Sequence, residues 1–330
     1  MEFSELFKQS KNLCKFSPNG KYLGCIIQYR LVIRNAHDLE IVNLFNFTDN
    51  LQAICWSRDS TLIACASFNL GSIQIWNLVD PNWSCRIDEG LGGLTKILFS
   101  PDSRHLLTFS DFQLRITVWN LINKSVRYMQ YPKFDNKGFC FRKDGKYFSL
   151  VERKECKDFI SVFDCEDWEM VKHFQTDTFD LEDIAWSPDG RFIAAWESSL
   201  DYKVLLYFPD GRLVSTFSRE ITGLGIKSVK WSPSAQFLAV GGYDKKKIYQ
   251  EVNYETKLNS FDTSDKIFEN LYNKTRKGYE LVDVEKFPFK IPILKLIPEK
   301  PNPKMGVGLL EFNCDGRYLV SRNGNSLEEN

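Results

Sequence analysis

The sequence predicts an all-β protein, a β-propeller of four-stranded blades with six complete repeats and a partial seventh, forming one domain over residues 1–330. Three observations carry this. An aromatic-led phrase recurs along the chain, the residues before it alternate with a period of two, and turn formers bracket it at fixed offsets. The phrases are "FSPNGKYL" at Phe16, "WSRDSTLI" at Trp56, "FSPDSRHL" at Phe99 and "FRKDGKYF" at Phe141, then "WSPDGRFI" at Trp186, "WSPSAQFL" at Trp231 and "FNCDGRYL" at Phe312. Successive aromatics stand 40, 43, 42, 45, 45 and 81 residues apart. The first five spacings match the roughly 40–45 residues of a four-stranded propeller blade. The sixth requires an insertion, at about 262–304.

Each unit builds up in the same order. Six residues before each aromatic stands a turn former: Ser10, Asn50, Gly93, Asp135, Asp180, Gly225 and Gly306. Gly, Asn and Asp also tolerate positive φ. Two residues before it stands an apolar residue (Cys14, Ile54, Ile97, Phe139, Ile184, Val229 or Leu310), as a strand requires. After the aromatic comes a tight turn. In "WSPDG", Ser187 at i, Pro188 at i+1 and Gly190 at i+3 are type I preferences, so Asp189 turns the chain rather than serving as an acid or ligand. An apolar second strand follows. Third strands are read at "SIQIWNL" from Ser72, "RITVWNL" from Arg115, "ISVFDC" from Ile160 and "KVLLYF" from Lys203. Fourth strands are read at "EMVKHF" from Glu169 and "RLVSTF" from Arg212. Four strands repeated around an axis make a propeller.

Charge narrows the function. Lys plus Arg and Asp plus Glu both number 43, and the formal net charge is zero. Bulk electrostatic binding to nucleic acid, which relies on a basic surface neutralising phosphates, is therefore not expected. "DKKK" from Asp244 and "RKECK" from Arg153 read as solvated loops between strands. The charged start "MEFSELFKQSKNL" is no signal peptide, and no stretch approaches the ~20 apolar residues of a membrane span. The nine cysteines are odd in number and include no Cys-x-x-Cys pair, which suits reduced thiols in the cytoplasm. Four Asn-x-Ser/Thr triplets, from Asn46, Asn82, Asn123 and Asn273, carry no meaning without secretion.

Catalytic motifs are not evident. His37, His105 and His173 lie in three different repeats with no metal-ligand spacing to cysteine. His105 holds the place taken elsewhere by Tyr22, Phe192 and Phe237, so it reads as a strand residue. "GLGIKS" from Gly223 lacks the spacing of a phosphate loop. No catalytic, cofactor-binding or metal-binding residue is assigned, no cofactor is expected, and the chain reads as a non-enzyme.

"IWNL" at Ile75 and "VWNL" at Val118 resemble the close of third strands in WD-repeat proteins, with Asn77 and Asn120 in place of the usual Asp. "VGGYDKK" from Val240 resembles a WD second strand running into its turn, with Asp244 at the bracing position. Longer phrases go further: "MEFSELFKQSKNLCKFSPNGKYL", "QYRLVIRNAHDLEI", "WSCRIDEG", "LRITVWNLINKSVRYMQYPK", "GLGIKSVKWSPSAQFLAVGGYD" and "NPKMGVGLLEF". Together they resemble the family of the centrosomal WD-repeat-containing protein eight, encoded antisense to the tumour-protein-seventy-three gene. The resemblance implies a non-enzymatic scaffold at the centrosome, centriolar satellites and spindle pole, supporting microtubule minus-end anchoring, spindle assembly and ciliogenesis. The implied partners are a coiled-coil microtubule-anchoring protein and a minus-end-directed kinesin. A generic WD-repeat adaptor in an RNA or translation-related complex is the alternative; a basic face and nuclease-sensitive purification would mark it.

Function on such a ring lies in loops rather than in the fold. The candidate protein-binding surface is "WSCRIDEG": Trp83 in a loop, with Arg86, Asp88 and Glu89 offering paired charges. Changing Trp83 and Asp88 to Ala is expected to weaken capture of the coiled-coil partner. The insertion is expected to protrude and to be partly mobile, with "DKIFENLYNKTRKGYEL" from Asp265 as a short helix and the five prolines from Lys286 barring a continuous strand or helix. The last unit shows two strands, "GLLEF" and "RYLVS". With "FSELFK" as an outer strand a third would still be missing. The resembling family continues for several more units, so the chain reads as shortened, with an open or strained ring.

Overall fold

Each of the seven recurring aromatics ends a strand in the computed structural model, which describes residues 7–10, 13–80, 82–218, 225–243, 247–251, 259–261, 271–275, 278–282 and 307–323. The chain forms two compact units, 1–176 and 177–330.

The first unit holds four antiparallel sheets, each of four strands in sequence order. The first sheet is β1 (Cys14–Phe16), β2 (Tyr22–Ile27), β3 (Arg30–Asn35) and β4 (Ile41–Asn46). The second is β5 (Ala53–Trp56), β6 (Leu62–Ser67), β7 (Ser72–Asn77) and β8 (Ser84–Asp88). The third is β9 (Lys96–Phe99), β10 (His105–Phe109), β11 (Arg115–Asn120) and β12 (Val126–Gln130). The fourth is β13 (Phe139–Phe141), β14 (Tyr147–Lys154), β15 (Lys157–Asp164) and β16 (Met170–Gln175). In "RKECK", Arg153 and Lys154 end β14 while Lys157 starts β15. Only Glu155 and Cys156 form the turn, both with positive φ.

The second unit continues with β17 (Leu181–Trp186), β18 (Ile193–Glu197), β19 (Lys203–Tyr207) and β20 (Leu213–Ser218). The next sheet is β21 (Ile226–Trp231), β22 (Phe237–Gly242), β23 (Lys247–Glu251) and β24 (Asn259–Phe261). Two hairpins follow, β25 (Leu271–Thr275) with β26 (Gly278–Val282), and β27 (Val307–Phe312) with β28 (Leu319–Asn323). The first hairpin corrects the helix expected from Asp265 over its two strands, and 265–270 lie outside the described residues. Tyr272 and Leu281 pair across it, as do Lys274 and Tyr279, and the Tyr, Thr and Val content of the stretch favours strands over a helix. The proline-rich stretch from Lys286, Asp244 and the "FSEL" start lie outside the described residues.

The "SPDG" turn is as the sequence requires. Gly190 N–H donates to Ser187 C=O (2.9 Å), Phe192 N–H to Ser187 Oγ (2.9 Å) and Arg191 N–H to Asp189 Oδ1 (3.1 Å). Gly190 has φ 72, and Ser60, Ser103 and Ala235 hold the same left-handed place with φ 64, 60 and 60. A side chain there costs about 1 kcal/mol. The serines gain something in return, since Ser60 Oγ accepts the Asn19 N–H (3.1 Å) and Ser103 Oγ the Asp59 N–H (3.2 Å) of the preceding sheet's turn.

Of the turn formers six residues upstream, Gly93 alone among the described residues has a positive φ (67). At Gly225 the requirement is room. A Cβ there would lie 2.5 Å from the Asp201 carbonyl oxygen and 2.6 Å from that of Ser198.

The core lies between neighbouring sheets. Ile26, Leu31 and Ile33 of the first pack on Ile54, Trp56 and Ile63 of the second, and Ile73 and Ile75 of the second on Ile97, Phe99 and Leu106 of the third. In the second unit Val204 and Leu206 pack on Val229 and Leu238. The tryptophans add a directional tie. Trp56 Nε1 donates to Lys15 C=O (3.0 Å) and Trp231 Nε1 to Ala185 C=O (3.2 Å), each one residue before the preceding sheet's aromatic.

Candidate protein-binding surface

Strand β8 places the four residues singled out in "WSCRIDEG". Side chains alternate along a strand. Arg86 and Asp88 therefore point outward, exposed and paired (Nε–Oδ1 3.2 Å), whereas Ile87 and Glu89 point inward. Trp83 is half-buried and packs on the core between the second and third sheets. Its N–H donates to Asp80 C=O (3.1 Å).

Glu89 does not belong to the exposed surface. It is 6% exposed. Its Oε1 accepts the Thr108 hydroxyl and the Trp119 indole N–H (3.2 Å), and its Oε2 faces the Thr117 hydroxyl (3.5 Å) and Arg115 (3.7 Å). Thr108 lies on β10, while Arg115, Thr117 and Trp119 lie on β11. The residue just past β8 thus braces the next sheet. The signal was in the sequence: Ile87 must face the core, and Glu89 shares its parity.

A second surface was not anticipated. In the first unit, the links between second and third strands carry exposed apolar side chains: Tyr29, Leu70, Phe112 and Leu114. Phe112 is 86% exposed and left-handed (φ 54, ψ 23), as is Gln113 (φ 56). A bulky residue is rarely left-handed, and such outliers collect at functional sites. The loop is braced from within, with Phe112 N–H on Asp111 Oδ1 (2.8 Å) and Ser110 N–H on Arg115 C=O (3.1 Å).

Glycines bring the neighbouring links against it. A Cβ at Gly93 would lie 2.8 Å from the Asp111 Cβ, and one at Gly71 would lie 3.3 Å from the Gly90 carbonyl oxygen. Glu89 N–H also donates to Gly71 C=O (2.9 Å). Leu70, the 89–93 link and Phe112–Leu114 therefore form one strip. Arg115 ends it, its guanidinium 4.7 Å from the ring centre of exposed Tyr128. Taken by itself, the second unit has Phe179 (91% exposed) before β17 and Leu200 between β18 and β19. Buried Glu197 accepts the N–H groups of Phe179 (2.7 Å) and Asp180 (2.8 Å).

Two of the three histidines, His105 and His173, serve as braces, while His37 is exposed in a turn. His105 is buried in β10, bonded through Nδ1 to Asp102 (2.8 Å) and through Nε2 to Asn120 (2.9 Å). Burial raises the Asp102 pKa, but bonds from His105, Ser100 and the Arg104 N–H outweigh it and bring the carboxyl to about 2. Ser161 and Glu152 both approach Nδ1 of His173, at 2.8 and 3.6 Å. A relay would need the acid and the hydroxyl on opposite ring nitrogens, and Ser161 is fully buried. This trio ties β14, β15 and β16 together.

Comparison with known proteins agrees with this architecture. The family model for the WD domain, G-beta repeat, matches residues 211–246. The chain is 43% identical to the mouse WD repeat-containing protein WRAP73, over 98% of this chain and 76% of that protein. It is 22% identical to an uncharacterised WD repeat-containing protein of Schizosaccharomyces pombe, over 97% of this chain and 69% of that one. Among solved structures, the Dos1 propeller aligns with a TM-score of 0.57 at 13% identity, covering 93% of this chain and 74% of that one. A chain of the mitotic checkpoint complex aligns with a TM-score of 0.52 at 13% identity, covering 95% and 84%. Those two structural likenesses speak for the fold alone.

Proposed function

We propose that this chain, which belongs to the WD-repeat family of WRAP73, is a non-enzymatic scaffold that works at the centrosome and spindle pole. There it supports microtubule minus-end anchoring, spindle assembly and ciliogenesis. Membership of a WD-repeat family supports the scaffold reading. The observation that carries it on this chain is the strip from Leu70 to Leu114, with a strained, exposed Phe112 at its tip. Exposed aromatics held by rigid elements are the anchors of protein interfaces. The pericentriolar setting rests on the likeness of the long sequence phrases to the centrosomal family.

The partners proposed are a coiled-coil microtubule-anchoring protein, seated on the Leu70–Leu114 strip with Asp88, the register partner of Ser72, and its ion-pair partner Arg86 beside it, and a minus-end-directed kinesin. Trp83 takes no part in this seat, because it lies beside Asn77 at the other end of the β7–β8 pair. Purification of a tagged copy from dividing cells tests this. Recovery of coiled-coil and microtubule-motor proteins, unaffected by nuclease, is expected. Recovery of ribonucleoprotein that nuclease abolishes would overturn it in favour of an RNA-linked adaptor.

A further inference from the structure

We propose that Cys14 and Cys25 form a reversible disulfide across the first sheet when the chain meets a hydroperoxide. The two residues are register partners on β1 and β2. Ile26 N–H donates to Leu13 C=O beside them (3.0 Å), which makes Cys14 and Cys25 a non-hydrogen-bonded pair. Such pairs hold Cα atoms about 4.5 Å apart with side chains at their closest, inside the roughly 4.4–6.8 Å that a disulfide spans. The two Sγ atoms are already 2.9 Å apart, so side-chain rotation closes the bond without moving the backbone. No other two cysteines are register partners among the described strands.

The two thiols differ in access, which orders the reaction. Cys14 is half-buried and Cys25 buried. Burial, with the Cys14 thiol beside it, pushes Cys25 up to about 12, while Arg34 pulls the other way. The hydroperoxide therefore meets Cys14 first. The Cys14 sulfur takes one peroxide oxygen and becomes a sulfenic acid, and the other oxygen leaves as an alcohol. The Cys25 sulfur then attacks the Cys14 sulfur, and the hydroxyl leaves as water with the Cys25 proton. Two thiols and one hydroperoxide give one disulfide, one alcohol and one water. The bond pins β1, which pairs with β2 at only three positions, and a thiol reductant reverses it.

Trypsin reads the outcome, because Lys15 and Lys21 lie between the two cysteines. The full chain is treated with hydrogen peroxide, its remaining thiols are alkylated, and it is digested without reductant. Peptides 12–15 and 22–30 should appear joined, and should separate, both alkylatable, after dithiothreitol. In C25S, Cys14 should instead accumulate as a sulfenic acid trapped by dimedone. Joined peptides with reversal support the pair. Overturning results would be alkylation of both residues at the level of untreated protein, coupling of Cys14 to a different cysteine, or equal dimedone labelling of Cys14 in wild type and C25S.

Discussion

Glu89→Ala removes a buried carboxylate that four side chains of the third sheet approach. The Thr108 hydroxyl and the Trp119 indole lose a charged acceptor, although Trp119 keeps Thr108 Oγ1 (3.0 Å) and Thr108 keeps Thr117 C=O (3.3 Å). A hydrogen bond to a charged group contributes roughly 1.5–3 kcal/mol, and stripping one partner from a buried ionic network costs about 3–5 kcal/mol. The surviving bonds place the expected loss at the lower end, about 3 kcal/mol. With a urea m-value of about 3 kcal/mol/M the unfolding midpoint drops by about 1 M. Glu89→Gln keeps the shape and one acceptor and should lose about 1 kcal/mol. Urea titration of wild type and both variants, followed by circular dichroism, measures this. A Glu89→Ala midpoint within about 0.2 M of wild type, equivalent to ~0.6 kcal/mol by the same slope, would refute the bracing role and return Glu89 to the surface.

Phe112→Gly relieves a left-handed phenylalanine, so stability should hold or rise by up to about 1 kcal/mol while capture of the coiled-coil partner falls at least tenfold; calorimetry and pull-down read the two effects. Gly225→Ala forces a Cβ onto two carbonyl oxygens and should destabilise by about 2–3 kcal/mol, seen as a lower melting temperature, whereas Ala235→Gly should not. The Asp102 carboxyl titrates at about 2 in the folded chain against 3.8 when unperturbed. A depressed folded value means that its stabilisation is complete above the unfolded pKa and lost as pH falls through the folded one. The urea-midpoint gap between wild type and Asp102→Asn should therefore close between about pH 4 and pH 2, and a constant gap would contradict the assignment.

The strand framework was legible because it rests on periodicity. All seven aromatics end strands, and the third strands from Ser72, Arg115 and Lys203 begin where the apolar runs do. The hairpin of β25 and β26 was misread as helical because charge was weighed above the Tyr, Thr and Val content of the stretch. Glu89 was misplaced because its neighbours in sequence, Arg86 and Asp88, are exposed, while the parity shared with Ile87 governs it. Phe112 could not be found from sequence: "SDFQL" contains no glycine, and its left-handed backbone is imposed by a loop that Asp111 and Arg115 hold. Ser60 and Ser103 hold left-handed turn places for a similar non-local reason, the bond to the preceding sheet's turn.

Imaging of the tagged chain in dividing cells, beside the Phe112→Ser/Leu114→Ser double variant, tests the scaffold proposal most directly. Both substitutions fall on exposed side chains, so the variant should fold and melt as the wild type does. A wild-type focus at each spindle pole, lost by the double variant at equal abundance, is the expected result. A diffuse or nucleolar wild-type signal, or a pole focus that the double variant retains in full, would contradict it.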